Sequence, residues 1–328
     1  MSTPESITEK GLARRYGIAA IALIANNYVF AYLLSFLVSA IISFFPNAAE
    51  LADRSTDSGY LIFMFFNEIC AYAFPIAVYA FIFRDCKAEP AASGYKRFFG
   101  ETPLLFVAGW TFALAGAYIT SHISAFLGAL FSVPQTKIAF SSAMPKDAFM
   151  FTVFAVCTCV IAPVCEELIY RKLLLTPMKK YSDSAAALVT SLLFALSHFN
   201  FSQFLYTFAF GYFLAVIAIR SRSVVPCVIC HIVNNLTAGI SSYLPETLGN
   251  EPSGSALKSV LTAIESATPY IMIVAIPITA AVLILGLYRL KDSGGSTLPK
   301  RLAVIFTDPV FLVAAAVILV ITFIKLYK

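Results

Sequence analysis

The sequence predicts an all-α fold, a polytopic transmembrane helical bundle of about nine spans. Three observations carry this. The 328 residues are 59% hydrophobic and only 12% charged, against roughly 25% charged in soluble domains. Mean hydropathy is +0.83. Apolar runs of about 20 residues, the length that crosses a bilayer, recur along the whole chain.

The expected spans are 17–45, 59–83, 103–131, 148–175, 183–199, 202–219, 223–244, 266–288 and 304–325. The boundaries of the fifth and sixth are the least sharply marked. The residues before the first span are polar and include Pro4, Glu5 and Glu9. The run that follows is too long for a signal-peptide core, so the first span reads as a retained anchor. Linkers are expected at Asn47 to Gly59, Arg84 to Glu101, Leu244 to Glu265 and Lys291 to Lys300. The last contains Gly294 and Gly295 and sets the final two spans apart. This organisation divides the chain into 1–147, three N-terminal helices, then 148–244, a core, then 245–328, an extracytoplasmic loop and two further helices.

Orientation follows from the basic residues. Most of the 23 Lys and Arg fall in segments 10–15, 84–97, 171–180, 220–222 and 289–301, which share one side if the N-terminus is cytoplasmic. The net charge of +5 therefore reports topology, and no nucleic-acid partner is read from it. Seven cysteines lie almost entirely within spans, where they act as small polarizable apolar residues. No disulfide framework is expected.

Against this apolar background a few polar side chains stand out, because a charge inside a bilayer costs several kcal/mol unless it is compensated. Glu166 and Glu167 are adjacent in the fourth span, with Arg171 following. Glu167 and Arg171 are four apart, acid first, the favoured order for a helical ion pair. Glu166 points about 100° away and is free to face a cavity. His198 ends the fifth span, on one face with Phe194, and His231 and Asn235 share a face of the seventh. Counted from a turn near residue 181, Glu166 and His198 lie about 22 and 26 Å along their helices at 1.5 Å per residue. The two therefore come to similar depth. A carboxylate and a histidine so placed can activate water, and an imidazole or an amide can stabilise an oxyanion. A Glu/His/His set, Glu166, His198 and His231, is also a candidate zinc site. Both routes lead to amide hydrolysis.

Glu166-Glu167-Leu-Ile-Tyr-Arg171, Phe194-Ala-Leu-Ser-His198 and His231-Ile-Val-Asn-Asn235 match in order and spacing the EExxxR, FxxxH and HxxxN motifs of the CPBP family. The region 148–244 thus resembles the Abi or type II CAAX prenyl proteases and bacteriocin-processing enzymes. The resemblance implies an intramembrane endopeptidase in which Glu166 and His198 activate water and His231 and Asn235 form an oxyanion hole. Glu167 and Arg171 then serve as a supporting pair. It leaves open whether a divalent metal, zinc, takes part. It also implies a membrane-embedded or lipid-anchored peptide or protein as substrate, and a bacterial inner membrane as the setting.

Other features carry less. His122, near Ser121 and Ser124, reads as a packing residue, and Glu68 beside Asn67 as a polar helix contact. Cys227-Val-Ile-Cys230-His231 spells the c-type haem attachment pattern, but it begins a span from the cytoplasmic side, where no haem is attached. Two other function classes remain, a non-proteolytic membrane immunity or binding protein on the same scaffold, and a proton-coupled transporter. No inverted repeat supports the transporter.

Overall fold

A computed structural model describes residues 8–86, 100–131, 148–179, 181–250, 256–290 and 297–326. Every regular element among them is helical. Helix α1 (Glu9–Ile42) starts where the Thr8 hydroxyl accepts from the Gly11 amide at 3.1 Å, satisfying one of the amides that a helix start leaves unpaired. A short α2 (Ala48–Ala52) precedes α3 (Asp57–Ile82), capped in the same way by Thr56 on Gly59. Then come α4 (Thr102–Phe131) and α5 (Phe149–Lys179). Helix α6 (Asp183–Ser197) is capped by Ser182, and α7 (Phe201–Ser221) by Asn200. The remaining helices are α8 (Val225–Asn250), α9 (Ala256–Ile284), α10 (Leu298–Phe306) and α11 (Pro309–Leu326).

The chain is a helical membrane bundle, but the nine expected spans are not matched one for one, and the last, 304–325, is two helices broken at Thr307 and Asp308. Among the described residues, α1, α3, α4, α5 and α7 are long and apolar enough to cross a bilayer. The pair α10 and α11, bent by 75°, adds a sixth if it is one span, and three apolar stretches, Asp183–Ser197, Val225–Ile240 and Ile273–Ile284, are shorter. The reason is plain for α6. Its 15 residues reach about 22 Å at 1.5 Å each, short of the roughly 30 Å hydrocarbon core. The expected linker at Leu244 to Glu265 is corrected, since α8 runs to Asn250 and α9 starts at Ala256. Pro245 and the polar residues near it read as a breaker in sequence, yet the helix continues through them. The expected boundary at 244/245 therefore falls inside α8. Most of the linkers near 84–101 and 291–300 lies outside the described residues.

Polar contacts collect the basic segments at one end. Arg15 on α1 holds Asp85, just past α3, through two hydrogen bonds of 2.5 and 2.9 Å. Those bonds draw the Asp85 carboxyl down to about 2, so it stays ionised at any physiological pH. Arg220 at the end of α7 pairs with Glu101 before α4 at 2.6 Å and donates to the Leu287 carbonyl at 2.6 Å. Glu9, Tyr181 and Arg301 line one small cleft.

Small residues bring the helices close, as they do where lipid offers no hydrophobic drive for association. Helix α7 packs on α4 and α6, and α1 on α11. A β-carbon on Gly17 of α1 would lie 2.6 Å from the Phe311 backbone nitrogen, and backbone cannot yield. Gly17→Ala is therefore expected to lower stability by about 1–3 kcal/mol through overpacking. Ile18→Ala, at a position 42% exposed, should change it little. Thermal unfolding of both variants in detergent checks this.

Candidate active site

Three stretches of α1 and α5 are wound as π-helix, Asn26–Phe30, Ala155–Ile161 and Leu168–Leu174. Such bulges are rare and concentrate at functional sites. Here two of them flank Glu166 and Glu167, and the third starts at a pair of asparagines facing the same space. Helix α6 ends at His198, and the chain turns through Phe199, whose φ of 46° lies in the left-handed region that non-glycine residues adopt at a cost of about 1–3 kcal/mol. The Phe199 side chain is 2% exposed and meets Tyr28 of α1 edge-on at 5.9 Å. Packing thus holds the turn. Irregular backbone at membrane depth is tolerated where protein buries it or a cavity borders it.

The cavity beside this turn has a volume of about 120 Å³. Glu166 and Tyr170 of α5, Ser197 and His198 of α6, Tyr72 of α3 and Asn26 and Asn27 of α1 contribute its polar wall. The Glu166 carboxylate is held at both oxygens. Tyr72 donates its hydroxyl to Oε1 at 2.8 Å, and His231 Nε2 stands 3.4 Å from Oε2. Glu167, with a fully buried side chain, faces the other way. Its Oε1 lies 2.9 Å from His231 Nδ1 and its Oε2 3.0 Å from Arg171 Nε. The Arg171 contact is an ion pair by distance but lacks hydrogen-bond alignment, and the guanidinium nitrogens have no aligned protein acceptor among the described residues. The Phe194 ring, 5.2 Å from the guanidinium carbon, adds a cation–π contact.

Phe194 ties the group together. Its ring meets His198 edge-on at 5.0 Å and His231 at 5.8 Å, and its carbonyl lies 2.8 Å from His198 Nδ1. That carbonyl can only accept, so a neutral His198 carries its proton on Nδ1 and presents a lone pair at Nε2. Gly211 on α7 makes room for the ring, since a β-carbon there would come within 2.9 Å of Phe194 Cδ1.

Five of the six residues singled out in the sequence fall into two sets. Glu166 and His198 line the cavity together. Glu167, Arg171 and His231 form a buried polar cluster that adjoins Glu166. Asn235 is turned elsewhere, with its side-chain amide donating to the Thr158 carbonyl at 3.2 Å, and neither it nor His231 is among the cavity-lining residues. Among the described residues no three His, Cys, Asp or Glu side chains are arranged to hold a metal ion. The candidate zinc set Glu166, His198 and His231 is not gathered around one space, because Glu166 and His198 line the cavity and His231 does not. The reading of sequence missed Tyr72, Asn26 and Asn27. Tyr72 was accessible through Glu68, which is four residues before it on the same face of α3 and is itself buried.

The buried cluster makes a stability prediction. Arg171→Ala leaves Glu167 with only His231 to offset its charge, and breaking a buried pair from one side costs about 3–5 kcal/mol. Glu166→Ala removes a partly exposed carboxylate and should cost much less. Equal thermal midpoints for the two variants would contradict the pairing.

No curated protein matches the chain, and no solved structure does. A family model does match where the three motifs lie. Residues 148–237 match the model of the Rce1-like type II CAAX prenyl endopeptidases.

Proposed function

We propose that this membrane protein is an intramembrane endopeptidase that hydrolyses a peptide bond of a membrane-associated peptide or a protein C-terminus. The carrying observation is that Glu166 and His198 border one cavity of about 120 Å³, large enough for a water molecule and a reacting carbonyl. In this reading Glu166 takes a proton from water, the hydroxide adds to the scissile carbonyl, and the proton passes to the departing amine. His198, which lines the same cavity, orients the water and shares the proton transfers.

The oxyanion needs a donor. The family resemblance implies His231 and Asn235, but here His231 spans two carboxylates and the Asn235 amide is engaged by Thr158. Tyr72 supports a different assignment. Its hydroxyl bonds a carboxylate that becomes neutral on taking the water's proton, which weakens that bond as negative charge grows on the substrate oxygen. The phenol can then turn its O–H to the oxyanion.

The protein groups suffice for these steps, so no metal is invoked. The setting proposed is a bacterial inner membrane with the N-terminus and the basic end of the bundle cytoplasmic, by the bias of basic loops toward that side.

Glu166→Gln should cut peptide cleavage by at least about 100-fold, the low end for loss of a general base, while leaving the protein folded. Comparative mass spectrometry of membrane peptides from cells with wild type or the variant reads this out. Unchanged cleavage would end the hydrolytic reading, and a protective effect retained by the inactive variant would favour the binding or immunity class. Tyr72→Phe should lower kcat by about 10–1,000-fold, the scale of losing one oxyanion donor or a bond that orients the base, with KM little changed. Strong chelators should leave the rate untouched. Loss of activity on chelation, restored by zinc, would refute the metal-free assignment.

A further inference from the structure

A second and larger hollow adjoins the cavity. It is a groove of about 740 Å³ bounded by the second half of α1, by α2 and by the start of α3. Asn27 lines both spaces, so the groove leads to the wall that Glu166 faces. Its far mouth, at Ser43 and Arg54, lies at the end of the bundle opposite Arg15 and the other basic segments. From Asn27 to Ser43 the helix runs about 24 Å at 1.5 Å per residue. An extended peptide covers that distance in about seven residues.

Resting on the endopeptidase reading, we propose that this groove docks an extended segment of the peptide substrate, which reaches Glu166 from the end of the bundle opposite the basic loops. The lining favours peptide over an acyl chain. Ser35, Ser39 and Ser43 recur every fourth residue along one face of α1, and Asn67 faces the same groove from α3. An acyl chain offers hydroxyls and amides no partner. A peptide backbone at membrane depth, by contrast, must have its own N–H and C=O groups satisfied, and donors and acceptors repeated at each turn can do so. Arg54, stacked at 3.9 Å over the Phe63 ring, puts a cation at the mouth that suits an acidic residue or a terminal carboxylate.

The test uses the full chain in liposomes, with a quenched fluorogenic peptide that ends in a prenylated cysteine box as probe. Ser39→Trp, which fills the groove away from the catalytic groups, should raise KM at least tenfold. Leu37→Trp, at a side chain 52% exposed outside the groove lining, should not. In parallel, Ser39→Cys in a Cys70→Ala background is treated with a membrane-impermeant maleimide, and modification at residue 39 is read by peptide mass. Modification is expected only from the side opposite an N-terminal tag, with the probe peptide protecting against it. A wild-type KM for Ser39→Trp, modification from the tagged side or not at all, or protection by free lipid but not by peptide would each overturn the proposal. If wild type leaves the probe as uncut as Glu166→Gln does, the endopeptidase reading fails for that peptide. The labelling and its protection still decide the groove.

Discussion

The site depends on how one buried charge is satisfied. Glu167 has no access to solvent, and an uncompensated carboxylate there would not be tolerated. Its two oxygens are met by Arg171 from its own helix and by His231 from α8. The first contact is local, a turn of helix away. The second crosses the bundle, so satisfying Glu167 joins α5 to α8 and sets the angle of the His231 ring. Because the ring is rigid, fixing Nδ1 on Glu167 delivers Nε2 to Glu166. The residue that holds no place in the cavity thereby orders the one that does.

Regular helix would not arrange these groups so. Two consecutive glutamates on an ideal helix diverge by about 100°, and Glu166 and Glu167 use that divergence to serve different neighbours. The π-helical stretches on either side of them add residues to the turn and shift the faces of α5 before and after the pair. At the end of α6 the left-handed Phe199 reverses the chain in a single residue, leaving His198 at the cavity instead of one turn past it. The costs of this irregular backbone are met by packing, through Phe199 against Tyr28 and Phe194 against both histidines.

Much of this was legible in the sequence, for reasons that can be named. The helical fold follows from hydropathy alone. The Glu167–Arg171 pair follows from helical spacing, and the shared level of Glu166 and His198 from counting residues back to a common turn. The short reach of α6 was less legible, because its apolar run continues through the turn into α7 and hydropathy does not register a φ of 46° at Phe199. Asn26 and Asn27 were not legible as site residues, and Tyr72 only through Glu68 on the same face of α3. They lie far from the motifs in sequence and are brought in by the packing of α3 against α5 and of α1 against α3. A polar residue in an apolar span signals a partner but does not name it. Asn235 shows the converse, since its spacing from His231 puts both on one face of α8 yet does not set where its amide turns.

What the arrangement gains from an unreactive neighbour is position. The His231 ring has one nitrogen 2.9 Å from Glu167 Oε1 and the other 3.4 Å from Glu166 Oε2, so two acids that diverge on their own helix meet the same rigid ring. One Glu166 oxygen stands beside that ring while the other accepts from Tyr72 at 2.8 Å, which orients the carboxylate against the cavity wall. Without Glu167 behind it the imidazole would lose the contact that sets its angle, and Glu166 would keep only Tyr72 to orient it. In the proposed reaction the buried acid thus keeps the base in place, although only Glu166 of the two lines the cavity.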